Sequence, residues 1–263
     1  TKLFPSTTLF RSHNTADEAL EDLCAAASEA AVEAACGKHA RFGPKLKALE
    51  ARRTTVLLLE WFALERERTD PFEVVLMEEL PPGVEPVEGE DAEDARRIVE
   101  IGPVRVRVRR DRVDKVRGEG MLLIDYKTGA LSSRERMWDA RRPSEPQLLV
   151  YLLASPEPDV CGIAIGKVRR GECGVVGLGS TPLAFGGRRK IHVADDWDAD
   201  RAQWKETLED LAKRHCEGDA RVDPVDGKAC QYCPYDALCR IDGSAEAFVD
   251  GTEEGGESGD VEE

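Results

Sequence analysis

Between Val104 and Arg109 valine and arginine alternate without a break, the period-2 pattern of a half-buried strand. Elsewhere the rhythm differs. Thr15 with Glu18 forms a capping box ahead of an Ala-rich helix that Gly37 stops after Cys36. Pro44 suits the first turn of a second helix reaching about Arg68, where Asp70-Pro71 ends it. Leu46, Leu49, Val56, Leu57, Trp61 and Leu64 form its predicted apolar face. Phe72–Glu79 is a predicted strand, followed by an acidic loop over Pro81–Ala95. Met121–Tyr126 is a strand joined to the alternating one through Gly118-Glu119-Gly120. Then come a short helix over Pro146–Ala154, strands over Asp159–Val168 and Cys173–Leu178, and an amphipathic helix over Asp200–His215. This order of helices, strands, helix, strands and helix predicts an α/β layer fold with a mixed sheet, and there is no internal repeat.

Both ends stand outside that pattern. Residues 1–12 lack periodicity and are expected to be a leader foreign to the domain. The domain is expected over 13–242, its Cys-rich segment over 216–242. Residues 243–263, mostly Gly, Glu, Ser and Asp, are expected to be a disordered acidic tail. No run approaches the roughly 18 apolar residues of a membrane span, and Thr1 opens no secretory signal, so no membrane partner and a cytoplasmic location are expected.

The net charge of −15 argues against a phosphate-rich partner until its distribution is considered. Seven acids and no base fall in Asp250–Glu263, whereas Arg105–Arg117 holds seven bases and two acids. A local basic stripe is compatible with nucleic acid.

The hairpin from Val104 to Lys127 carries the candidate chemistry. With its turn centred on Glu119, residue 111 faces 127 and 113 faces 125. Alternation then puts Val104, Val106, Val108, Leu122, Ile124 and Tyr126 on one face. The other holds Arg105, Arg107, Arg109, Asp111, Asp125 and Lys127, and excludes Asp114 by parity. Two adjacent carboxylates repel unless a cation lies between them, and Mg²⁺ or Mn²⁺ prefers such oxygens. A neighbouring lysine neutralises charge as a phosphorane forms. An Asp-x-Lys triplet alone is most often an ordinary ion pair, and a Gln and Tyr one helical turn apart are as often simple packing.

Here three segments stand in order: Asp111-Arg112-Val113-Asp114, Ile124-Asp125-Tyr126-Lys127-Thr128-Gly129 and Gln147-Leu148-Leu149-Val150-Tyr151. Together they resemble the RecB-like branch of the PD-(D/E)xK nucleases, over about residues 44–242, closest to the C-terminal domain of AddB-like bacterial repair proteins. The resemblance implies a restriction-endonuclease-like mixed sheet flanked by helices and a Mg²⁺-dependent (or Mn²⁺-dependent) deoxyribonuclease of recombinational repair, directed at single strands or ends. Asp111 and Asp125 would be metal ligands and Lys127 the catalytic lysine. Gln147 and Tyr151 would orient the lysine or the DNA, with Arg105, Arg107 and Arg109 along its backbone. It also implies an upstream helicase-like or scaffold portion and a repair-complex partner. Two departures stand out: His13 lacks the Gly-x-x-x-His context of the family's metal-binding histidine, and Glu79 fits a surface strand end better than the site's edge. The alternative is a catalytically inactive DNA-binding module.

Eight cysteines in a chain of this size with no export signal do not describe a disulfide scaffold. Cys24, Cys36, Cys161 and Cys173, set among Ala, Val and Gly, are expected as small buried apolar groups. Cys230-x-x-Cys233-x₅-Cys239 has the density of a soft-metal site. Its spacing resembles the last three ligands of the iron–sulfur staple of AddB-like nucleases, implying a 4Fe–4S cluster with zinc as the alternative. The fourth thiol would lie upstream, with Cys24, Cys36 and Cys216 as substitutes.

Overall fold

The computed structural model describes residues 17–36, 43–68, 70–77, 97–155, 159–182, 189–225, 227–231 and 233–239. Thr15, Glu79, His13 and the two termini lie outside them. The chain divides into two compact units, Thr1–Lys213 and Arg214–Glu263.

Two helices open the first unit. They are α1 (Asp17–Cys36) and α2 (Pro44–Arg66), the latter with Pro44 at the start of its first turn, where a missing N–H leaves no bond unmade. Strand β1 (Phe72–Met77) follows, then β2 (Arg97–Ile101), β3 (Val104–Val108), β4 (Arg112–Val116) and β5 (Gly120–Lys127). Helices α3 (Arg134–Met137) and α4 (Gln147–Ala154) lead to β6 (Val160–Lys167), β7 (Gly174–Gly179), β8 (Arg189–Val193) and α5 (Trp197–Cys216). Asp196 caps α5, its Oδ1 accepting from the Ala199 amide at 2.9 Å, so the helix begins three residues earlier than its apolar periodicity suggests.

Six strands form one sheet in the order β1-β4-β5-β6-β7-β8. The β5–β6 and β7–β8 pairs are parallel and the rest antiparallel. Helices cover both faces. Leu20 and Cys24 of α1 and Leu58, Trp61 and Phe62 of α2 pack on Val116, Leu122 and Ile124. On the other face Leu148, Leu149 and Leu152 of α4 and Trp204 and Leu208 of α5 meet Val113, Leu123, Ile163 and Ile165. Central β5 is thus apolar in both parities, as a strand covered twice must be. This is the mixed α/β sandwich expected from the order of elements.

The hairpin is not the one expected. The alternating strand β3 pairs with β2, Val99 opposite Val106, in a separate two-stranded sheet. The partner of β5 is β4, with Arg112 opposite Ile124 and Asp114 opposite Leu122. The turn is centred on Gly118, which sits at φ 83°, and not on Glu119. With the strand interrupted at Arg109–Arg110, Val108 and Val113, residues of opposite parity, both enter the α4-side core.

The apolar face expected for α2 is also partly displaced. Leu46, Leu49 and Val56 are exposed, and Leu58 and Phe62 are buried instead. Among the four isolated cysteines Cys24, Cys161 and Cys173 are buried, while Cys36 is half-buried. Burial raises the Cys24 and Cys161 thiols to about 11, so both stay protonated and inert.

In the second unit α6 (Gly227–Cys230) and α7 (Asp236–Cys239) frame the Cys-rich segment. The Cys233 amide donates to the Cys230 carbonyl at 3.1 Å, a turn that brings these two residues close. Among the described residues no three Cys, His, Asp or Glu side chains converge as a metal site. Cys230, Cys233 and Cys239 are half-buried and Cys216 is exposed, none of them in a disulfide, and these thiols do not converge as a ligand set among the described residues.

Candidate active site

Register assembles the site. Because β4 and β5 pair about Gly118, a continuation of the ladder past Arg112↔Ile124 sets Asp111 across from Asp125. The Asp111 Oδ2 accepts the Tyr126 amide at 3.0 Å, which holds that carboxylate at the strand's end. Asp125 points to the α4 side and is 1 % exposed. The two carboxyl groups lie within reach of a shared proton. Burial, then the charge of Asp111, raises Asp125 to about 6 against the pull of Lys127.

Lys127, two residues on and therefore on the same face, brings its Nζ to 3.0 Å from Asp125 Oδ2. The ammonium also donates to Gln147 Oε1 at 2.5 Å, and Gln147 Nε2 donates to Tyr151 Oη at 2.6 Å. The Gln147 amide is thereby oriented: with nitrogen and oxygen exchanged, its NH₂ would face an ammonium. Burial raises the Tyr151 phenol to about 12, so it remains a neutral partner for the amide. Asp111, Asp125, Lys127, Gln147 and Tyr151 form one continuous polar array on a largely apolar wall.

The array suits a hard divalent cation. Asp125 Oδ2 is buried and makes no aligned hydrogen bond, although the Lys127 ammonium is nearby. Two converging carboxylates with one oxygen unsatisfied match Mg²⁺, which binds through one or two carboxylates and keeps its other positions for water and phosphate. A third protein ligand is not found among the described residues.

Arg105 and Arg107 of β3, and Arg109 just after it, are not brought into line with it. Arg105, Arg107 and Arg109 are exposed, but β3 belongs to the other sheet, and its valines, not its arginines, face the α4-side core. The charge of Arg109 is felt at Tyr151.

A buried ionic network on the opposite face went unforeseen. Arg112, fully buried, donates to both Asp114 oxygens at 2.6 and 2.8 Å and to both Glu65 oxygens at 2.9 and 3.2 Å. It also reaches Tyr126 Oη at 3.0 Å. Arg68 adds a 2.6 Å bond to Asp114 and lies 3.5 Å over the Phe72 ring. The neighbouring carboxylates hold the Arg112 guanidinium protonated despite burial. Asp114 is consumed here, away from the array. Tyr126 joins the two faces: its ring and hydroxyl lie in the network, its amide grips Asp111, and its neighbours are Asp125 and Lys127. The signal was the spacing of Arg112 and Asp114, two apart on one parity and opposite Ile124 and Leu122, positions that demand buried partners.

No curated protein matches the chain. The description of the PD-(D/E)XK nuclease superfamily matches residues 7–240, taking in every element of the sheet and the whole array. On that match, and with a mixed sheet whose central strand carries Asp125 and Lys127, the chain belongs to the PD-(D/E)XK nuclease superfamily.

Proposed function

We propose that the protein is a Mg²⁺- or Mn²⁺-dependent deoxyribonuclease of the RecB-like branch, acting on single strands or ends in DNA repair. The observation that carries this reading is the unbroken chain of contacts from Asp125 through Lys127 and Gln147 to Tyr151. Asp111 and Asp125 would hold the cation. When bound, that ion supplies Lewis acidity and a water made nucleophilic at neutral pH. Lys127 presents positive charge to the phosphoryl oxygens as they become more negative. Gln147 holds that ammonium on one side and Asp125 on the other, so it need not reorganise during attack. Tyr151 fixes the amide that does the holding.

Order of motifs and the Ile-Asp-Tyr-Lys-Thr-Gly string favour the RecB-like, AddB-like subgroup and, with it, additional helicase-like or scaffold domains and a repair-complex partner. The Cys230, Cys233 and Cys239 spacing supports a 4Fe–4S or zinc staple independent of the chemistry. Iron and zinc analysis of anaerobically prepared protein tests it: neither metal at stoichiometric level removes the staple.

The test of the nuclease reading is cleavage of labelled single-stranded and blunt DNA with Mg²⁺. Asp125→Asn and Lys127→Ala should each lower the rate by at least about a hundredfold, the scale of a lost electrostatic stabiliser. Parental rates in both variants would sink the assignment. The second reading, a DNA-binding module without catalysis, is favoured by the two-carboxylate site with no third ligand among the described residues. It predicts DNA binding with no cleavage by the parent chain in either Mg²⁺ or Mn²⁺.

A further inference from the structure

A cavity of about 990 Å³ opens where the C-terminal end of β6 meets the starts of β7 and β8 and the loop that leads into α3. Its walls include Ser132, Arg134, Lys167, Glu172, Val176 and His192. Lys167 is the register partner of Lys127 on the adjacent parallel strand. Neighbouring strands lie about 4.8 Å apart and registered residues share a face, so the cavity begins one strand spacing from the catalytic lysine. No residue of the array lines it.

We infer that this cavity is a subsite for a single DNA strand running from the scissile phosphate across β6 toward β8. The inference rests on the nuclease reading and adds to it where the strand goes. Two features carry it. On the face that Lys127 and Lys167 share, the lining is aliphatic at Leu131 and Val176, suited to sugar and base edges, while cationic and hydroxyl groups stand beside them. The cations are also held by exchangeable partners: Lys167 donates to Glu172 at 2.5 Å and Arg134 to Glu135 at 2.8 Å. Both glutamates are exposed. Exposed pairs of this kind are worth little. A phosphate can therefore displace either carboxylate at small cost, and the paired state keeps an unfilled subsite neutral. The bases of a single strand are free to turn inward onto such a surface, as the paired bases of a duplex are not.

The full chain is titrated with a short fluorescein-labelled DNA strand, read by anisotropy with Ca²⁺ in place of Mg²⁺. Arg134→Ala with Lys167→Ala should raise Kd roughly tenfold and flatten the plot of log K against log salt by about 1.4, two phosphate contacts at about 0.7 each. Glu172→Gln, which releases Lys167, should lower Kd, whereas Glu33→Gln, the same charge change at the α1–α2 pair with Lys47, should not. Equal tightening by both glutamine variants, an unmoved Kd in the double alanine variant, or tighter binding of duplex than of single strand would overturn the subsite. If the parent cleaves nothing yet these Kd changes appear, the nuclease reading falls and the subsite stands. If cleavage is intact and Kd unmoved, the reverse holds.

Discussion

Asp125→Asn should stabilise the metal-free protein while destroying its activity. In the fold Asp125 is 1 % exposed and titrates near 6, against an ordinary 3.8, first because it is buried and second because Asp111 is charged beside it. The sign follows from proton binding. Between about 4 and 6 the folded chain binds more protons at this position than the unfolded chain, so stability falls as pH rises through that window. Above it the full penalty persists. A gap from 3.8 to about 6 corresponds to about 3 kcal/mol at about 1.4 kcal/mol per pH unit. Asparagine keeps the shape and removes both the desolvated charge and its repulsion with Asp111, at the loss of the Lys127 pair. At pH 7.5 in EDTA the variant should therefore melt higher, by up to roughly 6–12 °C for a chain of this size, and near pH 4 the two should melt together. Mg²⁺ should raise the parental Tm at pH 7.5, less at pH 5, and leave the variant unmoved. Dye-monitored melting across pH, with and without Mg²⁺, measures all of this. A variant that melts lower than the parent at pH 7.5, by the same margin as at pH 4, would refute the reasoning.

Arg112→Leu should cost about 3–5 kcal/mol by leaving Glu65 and Asp114 charged and buried, and Glu65→Gln in the same chain should recover part of it; a denaturant midpoint equal to the parent's would show that the network contributes nothing. Gln147→Ala removes the acceptor that holds Lys127, so kcat on DNA should fall roughly tenfold with KM little changed, a smaller loss than Lys127→Ala; steady-state kinetics separates the two, and a rise in KM alone would reassign Gln147 to substrate binding. A Cβ at Gly166 would stand 2.8 Å from the Trp61 ring and 2.9 Å from the Tyr126 ring, so Gly166→Ala should cost about 1–3 kcal/mol. Trimming Trp61 to Phe should make the alanine better tolerated, which a double-mutant cycle in urea would detect as a coupling of at least about 0.5 kcal/mol.

The errors made from the sequence have distinct physical origins. The register about Gly118 differs from one about Glu119 by two residues in pairing, an even slip. An even slip preserves parity, so Asp111, Asp125 and Lys127 stayed on one face although every pair was mismatched. The alternation of Val104–Val108 was correctly legible as a strand, but alternation says nothing of its partner, which is β2 and not β5. Strand β4 was hidden because buried ion pairs invert the polarity code: Arg112 and Asp114 look like surface residues and are fully buried. For α2, counting leucines overvalued Leu46 and Leu49, which no neighbour among the described residues buries. The Lys127–Gln147–Tyr151 contacts were legible only through motif order, since 20 residues separate the lysine from its amide.

The tip of the β4–β5 hairpin offers something of practical use. Arg117, Gly118 and Glu119 are exposed, and nothing lies within 4 Å of where a Gly118 side chain would be. From Gly120 the strand runs five residues to Asp125, about 16 Å, so the tip is at the far end of the ribbon from the carboxylates. Backbone bonds close the ladder just before it, from the Glu119 amide to Val116 and from the Arg117 amide to Pro71. Gly120 is different, because a side chain there would strike the Asp159 carbonyl at 2.1 Å. A module spliced between Gly118 and Glu119 would thus hang from the strand that carries Asp125 and Lys127 without crowding them. That makes the hairpin a graft point at which a fluorescent reporter, or a domain chosen for its own target sequence, could be carried by an otherwise unaltered sheet.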